Sequence, residues 1–190
     1  MFEIEKYLKF AKKRGERVLE NSLDKEHVKV FLYSYPRLDR LVKEYEGHIY
    51  EKAVRSYGGR INAEAVAEYI ANQILYMRAL EFLKLSLDEV LKKLSDTEKK
   101  LVAARYFGWK KSRIKETLFE GKDRIKSERS YFRRQEKLLK KIAVLMQTAG
   151  LDRRAFEETY ACIEELQCVF RFVASGRDKK IFEKEKSWFS

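Results

Sequence analysis

The chain has 190 residues, of which 45% are hydrophobic and 38% are charged, with only one proline and eight glycines. This composition favours an all-α fold and argues against the collagen-like, disulfide-rich and membrane-spanning classes. Lys and Arg total 42 against 30 Asp and Glu, and the net charge of +12 favours an anionic partner. No run of 18 apolar residues occurs, and the N-terminus lacks a signal peptide's basic start and apolar core, so we expect a cytoplasmic protein.

Apolar residues recur at helical spacing through the N-terminal half and predict helices over residues 3–20, 24–33, 37–57 and 63–84. Pro36 separates the second helix from the third, because proline cannot donate a backbone hydrogen bond. The fourth helix is the most apolar, so we expect it to be the central helix of an N-terminal bundle. Its predicted core stripe consists of Ala67, Ile70, Ala71, Ile74, Leu75, Met77 and Leu80.

Two Ser-x-x-Glu segments, Ser86 to Glu89 and Ser95 to Glu98, match the capping box that begins a helix. Since the two boxes start nine residues apart, they predict a short helix between them, followed by a sharp change of chain direction. We therefore expect a module boundary near Leu94.

The excess of positive charge is concentrated in one part of the chain. Residues 1–91 hold 16 basic and 15 acidic residues, residues 151–190 hold eight of each, and residues 92–150 hold 18 basic and seven acidic residues. Such an excess is the electrostatic footprint expected for binding a polyanion. We therefore predict three modules, which are an N-terminal helical bundle, a basic nucleic-acid-binding module and a C-terminal helix with a charged tail.

Within the basic module, the sequence predicts a capped helix over 96–107, a short helix over 110–119 and a long helix from Arg124 or Ser127 to about Met146. Apolar residues follow one face of the long helix and cations follow another, so one side packs and the other faces outward. The apolar face consists of Tyr131, Leu138, Leu139, Ile142, Leu145 and Met146. The cationic row consists of Arg129, Arg133, Lys137 and Lys140, with Arg134 and Lys141 beside it.

This order of helices is that of a helix-turn-helix, whose second helix enters the major groove of DNA with its N-terminal part. Arg can bind guanine through two hydrogen bonds, and Glu can accept a hydrogen bond from cytosine. A cation at a phosphate positions the protein but does not distinguish one base sequence from another. The residues predicted at base edges are Ser127, Glu128, Arg129, Ser130, Arg133 and Arg134. The residues predicted at phosphates are Lys110, Lys111, Arg113, Lys137, Lys140 and Lys141.

Several segments of this module resemble the last helix-turn-helix region of bacterial sigma factors, and they are most similar to the ArpU- and RinA-type late transcription regulators of phages. The segments are Leu94 to Leu101, Arg105 to Phe107, Ile114 with Leu118, and Ser127 to Arg134. Between Leu118 and Ser127 the chain has a longer turn than the family pattern. The resemblance implies a transcriptional regulator of phage or mobile-element type that binds double-stranded DNA.

Other function classes have fewer supporting features. Only His27 and His48 are present, outside any H-E-x-x-H spacing, and we find no Gly-rich phosphate loop or G-x-S-x-G motif. We therefore expect no enzyme, no cofactor and no metal. An anionic membrane surface or RNA can attract the same basic helix, although we expect no membrane association. The main alternative is a helical protein-interaction module whose basic helix binds an acidic partner.

The C-terminal module contains a strongly apolar helix predicted over 152–175. This helix either closes the N-terminal bundle or forms the seam of a homodimer. The charged tail that follows it carries Phe182, Trp188 and Phe189, which are candidate anchors for a partner such as RNA polymerase.

Overall fold

The computed structural model describes residues 23–56, 63–108, 125 and 127–177, apart from the side chain of Glu128. The main helices are α1 (Lys25–Ser34), α2 (Leu38–Ser56), α3 (Ala63–Lys92), α4 (Asp96–Tyr106), α5 (Glu128–Thr148) and α6 (Glu164–Ala174). These described residues contain no strand, and the all-α class is confirmed. No helix among them is long and apolar enough to cross a membrane. The predicted helices over 3–20 and 110–119 and the aromatic tail lie outside the described residues.

Helices α1 and α2 confirm the two helices predicted on either side of Pro36. A short 3-10 helix, Tyr35–Arg37, joins them, and Pro36 stands in its first turn. Since the first N–H groups of a helix have no partner within the helix, the N–H that proline lacks costs no hydrogen bond at this position. The proline therefore separates the two helices without an intervening loop.

Helix α3 is longer than predicted and runs through the first of the two predicted capping boxes. Ser86 is 7% exposed and lies within the helix, and the fully buried Leu83, Leu87 and Val90 continue the apolar face past it. The prediction of a helix start at Ser86 is therefore wrong, because the burial of these side chains favours one continuous helix. The helix ends at Lys92, close to the predicted module boundary.

The second capping box is confirmed at the start of α4. Ser95 Oγ accepts a hydrogen bond from the Glu98 backbone N–H at 3.3 Å, and the Glu98 carboxylate accepts one from the Ser95 N–H at 2.9 Å. The two bonds satisfy backbone donors that a helix start otherwise leaves unpaired. Helix α4 therefore begins at a defined residue.

Only part of the predicted core stripe of α3 is buried. Leu80 is fully buried, whereas Ile74 and Leu75 are 39% and 61% exposed. The main neighbour of α3 is the antiparallel α2, and the salt bridge from Lys84 Nζ to Asp39 Oδ2, 3.0 Å long, joins the two helices. Since α2 covers one side of the N-terminal half of α3, the other side of this half faces outward among the described residues.

Helix α1, and not α3, lies at the centre of the fold. It packs against α4, α5 and α6. Buried residues from all three predicted modules form one continuous hydrophobic cluster, which extends from Leu23 to Val173. The completely buried side chains of α1 are Val28, Val30, Phe31 and Leu32.

The helix predicted over 152–175 is interrupted. Residues 153–160 form a short helical segment that ends in a π-helical turn, and α6 follows after a break in the helix. The π-helical turn places the rings of Phe156 and Tyr160 against Phe31, at centroid distances of 5.4 and 5.2 Å. Of the two roles predicted for this region, the structure shows closure of the bundle, because α6 packs against α1.

Candidate nucleic-acid interface

Ser127, one of the two start positions that the sequence predicts, is the N-cap of α5. The Ser127 backbone is extended, with φ −155° and ψ 153°, and its Oγ accepts a hydrogen bond from the Ser130 backbone N–H at 3.3 Å. This cap satisfies one N–H of the first turn, and the remaining N–H groups give the helix start a partial positive charge. The exposed Arg129 therefore adds a full positive charge to a helix end that already favours anions.

One face of α5 is buried in the core, as the sequence predicts. Burial of this face fixes the helix to the rest of the protein along most of its length. The most buried apolar residues, each at most 4% exposed, are Tyr131, Leu138, Ile142 and Met146.

Gln135 lies within this apolar face and is itself only 3% exposed. Its Nε2 donates hydrogen bonds to the Leu101 carbonyl oxygen of α4 at 3.0 Å and to Tyr131 Oη at 3.2 Å. These bonds couple α4 to α5 and fix the rotation of α5 about its axis. Gln135 is not among the residues predicted from the sequence, although a polar side chain in an apolar stripe is a signal of such a contact.

The opposite face of α5 carries the predicted cationic row. From Arg129 to Lys140 the row is about 16 Å long at 1.5 Å per residue. This length is roughly that of five base pairs at 3.4 Å each, so the row can reach several phosphates. Four exposed cations of this face have no carboxylate partner among the described residues, namely Arg129, Arg133, Arg134 and Lys137.

One carboxylate, that of Glu136, lies beside the row. Lys25 of α1 donates a hydrogen bond to Glu136 Oε1 at 2.9 Å, and this bond is the main reason why the pKa of Glu136 is lowered. Lys140 lies farther from the same oxygen, at 3.9 Å. Because Lys25 already neutralises Glu136, Lys140 remains available to an external anion.

Lys141, which the sequence predicts at a phosphate, has an internal partner. Its Nζ lies 2.9 and 2.7 Å from the two carboxylate oxygens of Glu98. Burial raises the pKa of Glu98, but the hydrogen bonds from Lys141 and Ser95 outweigh this effect, and the pKa lies below its usual value. A phosphate would have to displace this carboxylate, so we do not count Lys141 among the free cations.

The first turns of α5 border a shallow, open depression of about 500 Å³. Among the described residues, its lining consists of Ser127, Arg129, Ser130 and Arg133. All four are predicted at base edges, so the structure brings this part of the predicted site together on one surface.

The remaining predicted contacts lie outside the described residues. They are the side chain of Glu128 together with Lys110, Lys111 and Arg113 of the predicted helix over 110–119. The structure therefore describes the first and the last helix of the predicted helix-turn-helix, and the complete motif stays a prediction.

The two histidines of the chain lie on α1 and α2, and not on α5. His27 is 8% exposed, with its ring centroid 4.1 Å from that of Phe156, and burial is the main reason why the pKa of His27 is lowered. His48 is exposed on α2. Across the part of the chain that the structure describes, no three His, Cys, Asp or Glu side chains are grouped so that they could hold a metal ion.

No protein-family model, curated protein or solved structure matches this chain. The candidate interface is therefore defined by this chain's own residues and their geometry. The features that carry it are the exposed cationic row, the buried opposite face and the capped start of α5.

Proposed function

We propose that this protein binds double-stranded DNA through the cationic face of α5 and acts as a transcriptional regulator of phage or mobile-element type. The observation that carries the proposal is the row of exposed cations on α5, a helix whose opposite face is held in the core. Among the described residues, Arg129, Arg133, Arg134 and Lys137 have no carboxylate partner. A helix that is already fixed loses little conformational entropy when it binds, so the charges can act together. The resemblance of Ser127 to Arg134 to a sigma-type recognition helix supports the regulatory part of the proposal.

The position of each cation along α5 suggests its role. Arg129 and Arg133 lie in the first two turns beside the open depression, which is where a recognition helix meets base edges. Lys137 and Lys140 lie farther along the helix, where cations more often meet phosphates. On this assignment, the two arginines set the preferred sequence and the two lysines supply affinity for any duplex.

A binding titration of labelled duplex DNA with the full chain tests the proposal. Arg133→Ala/Lys137→Ala should weaken binding by about tenfold or more, since a loss of about 1.4 kcal/mol already gives tenfold. The matched control is Arg37→Ala/Lys43→Ala, which removes the same two charges from exposed positions outside α5.

An equal loss in both variants would show that net charge, and not the face of α5, determines binding. If the wild-type chain binds an acidic polypeptide such as polyglutamate more tightly than duplex DNA at the same salt concentration, the interaction-module alternative is favoured. If it binds structured RNA more tightly than duplex DNA, RNA is the partner.

A further inference from the structure

Helix α3 exposes an apolar stripe that α2 does not cover. Leu75, Phe82 and Leu85 are 61%, 48% and 65% exposed. Together with Ala71 and Arg78 they follow alternating spacings of four and three residues, which is the pattern of a coiled-coil seam. A monomeric protein rarely exposes large apolar side chains in a row of this kind, so the stripe is expected to pack against another surface.

The stripe is complementary to itself when a second α3 packs against it in the antiparallel direction. With the two-fold axis at the level of Leu80, Leu75 faces Leu85 of the other copy, because each lies five residues from Leu80. Arg78 and Phe82 each lie two residues from Leu80, so a guanidinium faces an aromatic ring. Two-fold symmetry makes each of these contacts occur twice.

The same register brings opposite charges together at the ends of the seam. Glu68 and Lys92 are exposed and lie twelve residues from Leu80 on opposite sides, so Glu68 of one copy faces Lys92 of the other. A parallel pairing would instead place Glu68 beside Glu68 and Lys92 beside Lys92. Lys92 has an exposed partner in its own helix, Glu89 at 2.7 Å, which it can exchange for the carboxylate of the second copy.

We propose that the exposed stripe of α3 is an antiparallel homodimer interface. From Glu68 to Lys92 the seam is about 36 Å long, and one helix is about 10 Å wide, so each copy contributes about 360 Å². This is below the roughly 800 Å² per partner of a standard interface, so the dimer dissociates on dilution. The interface uses none of the α5 cations, and the proposal does not depend on DNA binding.

Sedimentation velocity of the full chain over a broad dilution series, without DNA, tests the proposal. The wild type should change from dimer to monomer on dilution, and Leu75→Asp/Leu85→Asp should be monomeric throughout. Both positions are exposed, so the variant should fold, and circular dichroism checks that it does. The matched control is Val144→Asp on α5, because Val144 is as exposed as Leu75, at 61%. This control should dimerise like the wild type.

Charge reversal tests the antiparallel register. Glu68→Lys should raise the dissociation constant several-fold, and adding Lys92→Glu to the same chain should restore it. The proposal is overturned if the wild type is monomeric at every concentration, which would leave residues 1–22 or another protein to cover the stripe. It is also overturned if Leu75→Asp/Leu85→Asp dimerises normally, or if the double charge reversal dimerises as weakly as the single one.

Discussion

Replacement of Phe31 by alanine tests whether α1 is the centre of the fold. Phe31 is fully buried, and its ring meets Phe156 and Tyr160 in edge-on contacts at 5.4 and 5.2 Å. Truncation of a core phenylalanine costs about 3–5 kcal/mol. Because each edge-on aromatic pair adds about 0.5–1.5 kcal/mol beyond burial, we expect a loss in the upper part of that range, about 4–5 kcal/mol.

Urea unfolding followed by far-UV circular dichroism measures this loss. For a chain of this length, a loss of about 4–5 kcal/mol in the free energy of unfolding corresponds to a decrease in Tm of roughly 8–20 °C in a thermal melt. The control Val144→Ala removes apolar atoms from a position that is 61% exposed and should change the free energy of unfolding by less than about 0.5 kcal/mol. A loss below about 1.5 kcal/mol for Phe31→Ala would refute the reasoning, because this is less than the burial of one aromatic side chain contributes.

Three further predictions concern the cap of α4 and the cationic face. Ser95→Ala should lower the free energy of unfolding by about 1 kcal/mol in the same urea assay, because it removes the cap. The pKa of Glu98 is lowered in the folded state, so Glu98 stabilises the fold above its unfolded-state pKa, and this contribution is lost as the pH falls through the folded-state value. The stability difference between the wild type and Glu98→Gln should therefore shrink as urea titrations move from neutral to acid pH. In gel shifts with competing duplexes, Arg133→Ala should cost about 1–3 kcal/mol on a preferred site and relax the preference there, whereas Lys140→Ala should weaken all duplexes alike.

The two capping boxes show how far a local motif can predict structure. Ser86 and Ser95 stand in the same Ser-x-x-Glu pattern, but only Ser95 begins a helix. Leu87 and Val90 next to Ser86 are fully buried, and their packing keeps α3 continuous. The motif shows which capping hydrogen bonds can form. Tertiary packing determines whether the helix begins at that residue, so that they do form.

Helical periodicity predicted the faces of α5 more accurately than those of α3. In α5 the charged and apolar stripes are chemically distinct, so the sequence identifies the inner and the outer side. In α3 both sides are apolar, and Leu75 and Leu80 differ only in what covers them. The bond from Gln135 to Leu101 and the bond from Lys141 to Glu98 each join residues more than thirty positions apart, so these two partners were not predictable before the helices were placed.

The salt dependence of DNA binding tests the proposed function most directly. The logarithm of the association constant falls with the logarithm of the salt concentration by about 0.9 for each phosphate that the protein neutralises. Lys137→Ala/Lys140→Ala should therefore make the slope shallower by about 1.8 relative to the wild type, while Arg37→Ala/Lys43→Ala should leave it unchanged. A wild-type slope near zero, or a steep slope that Lys137→Ala/Lys140→Ala does not change, would contradict DNA binding through this face of α5.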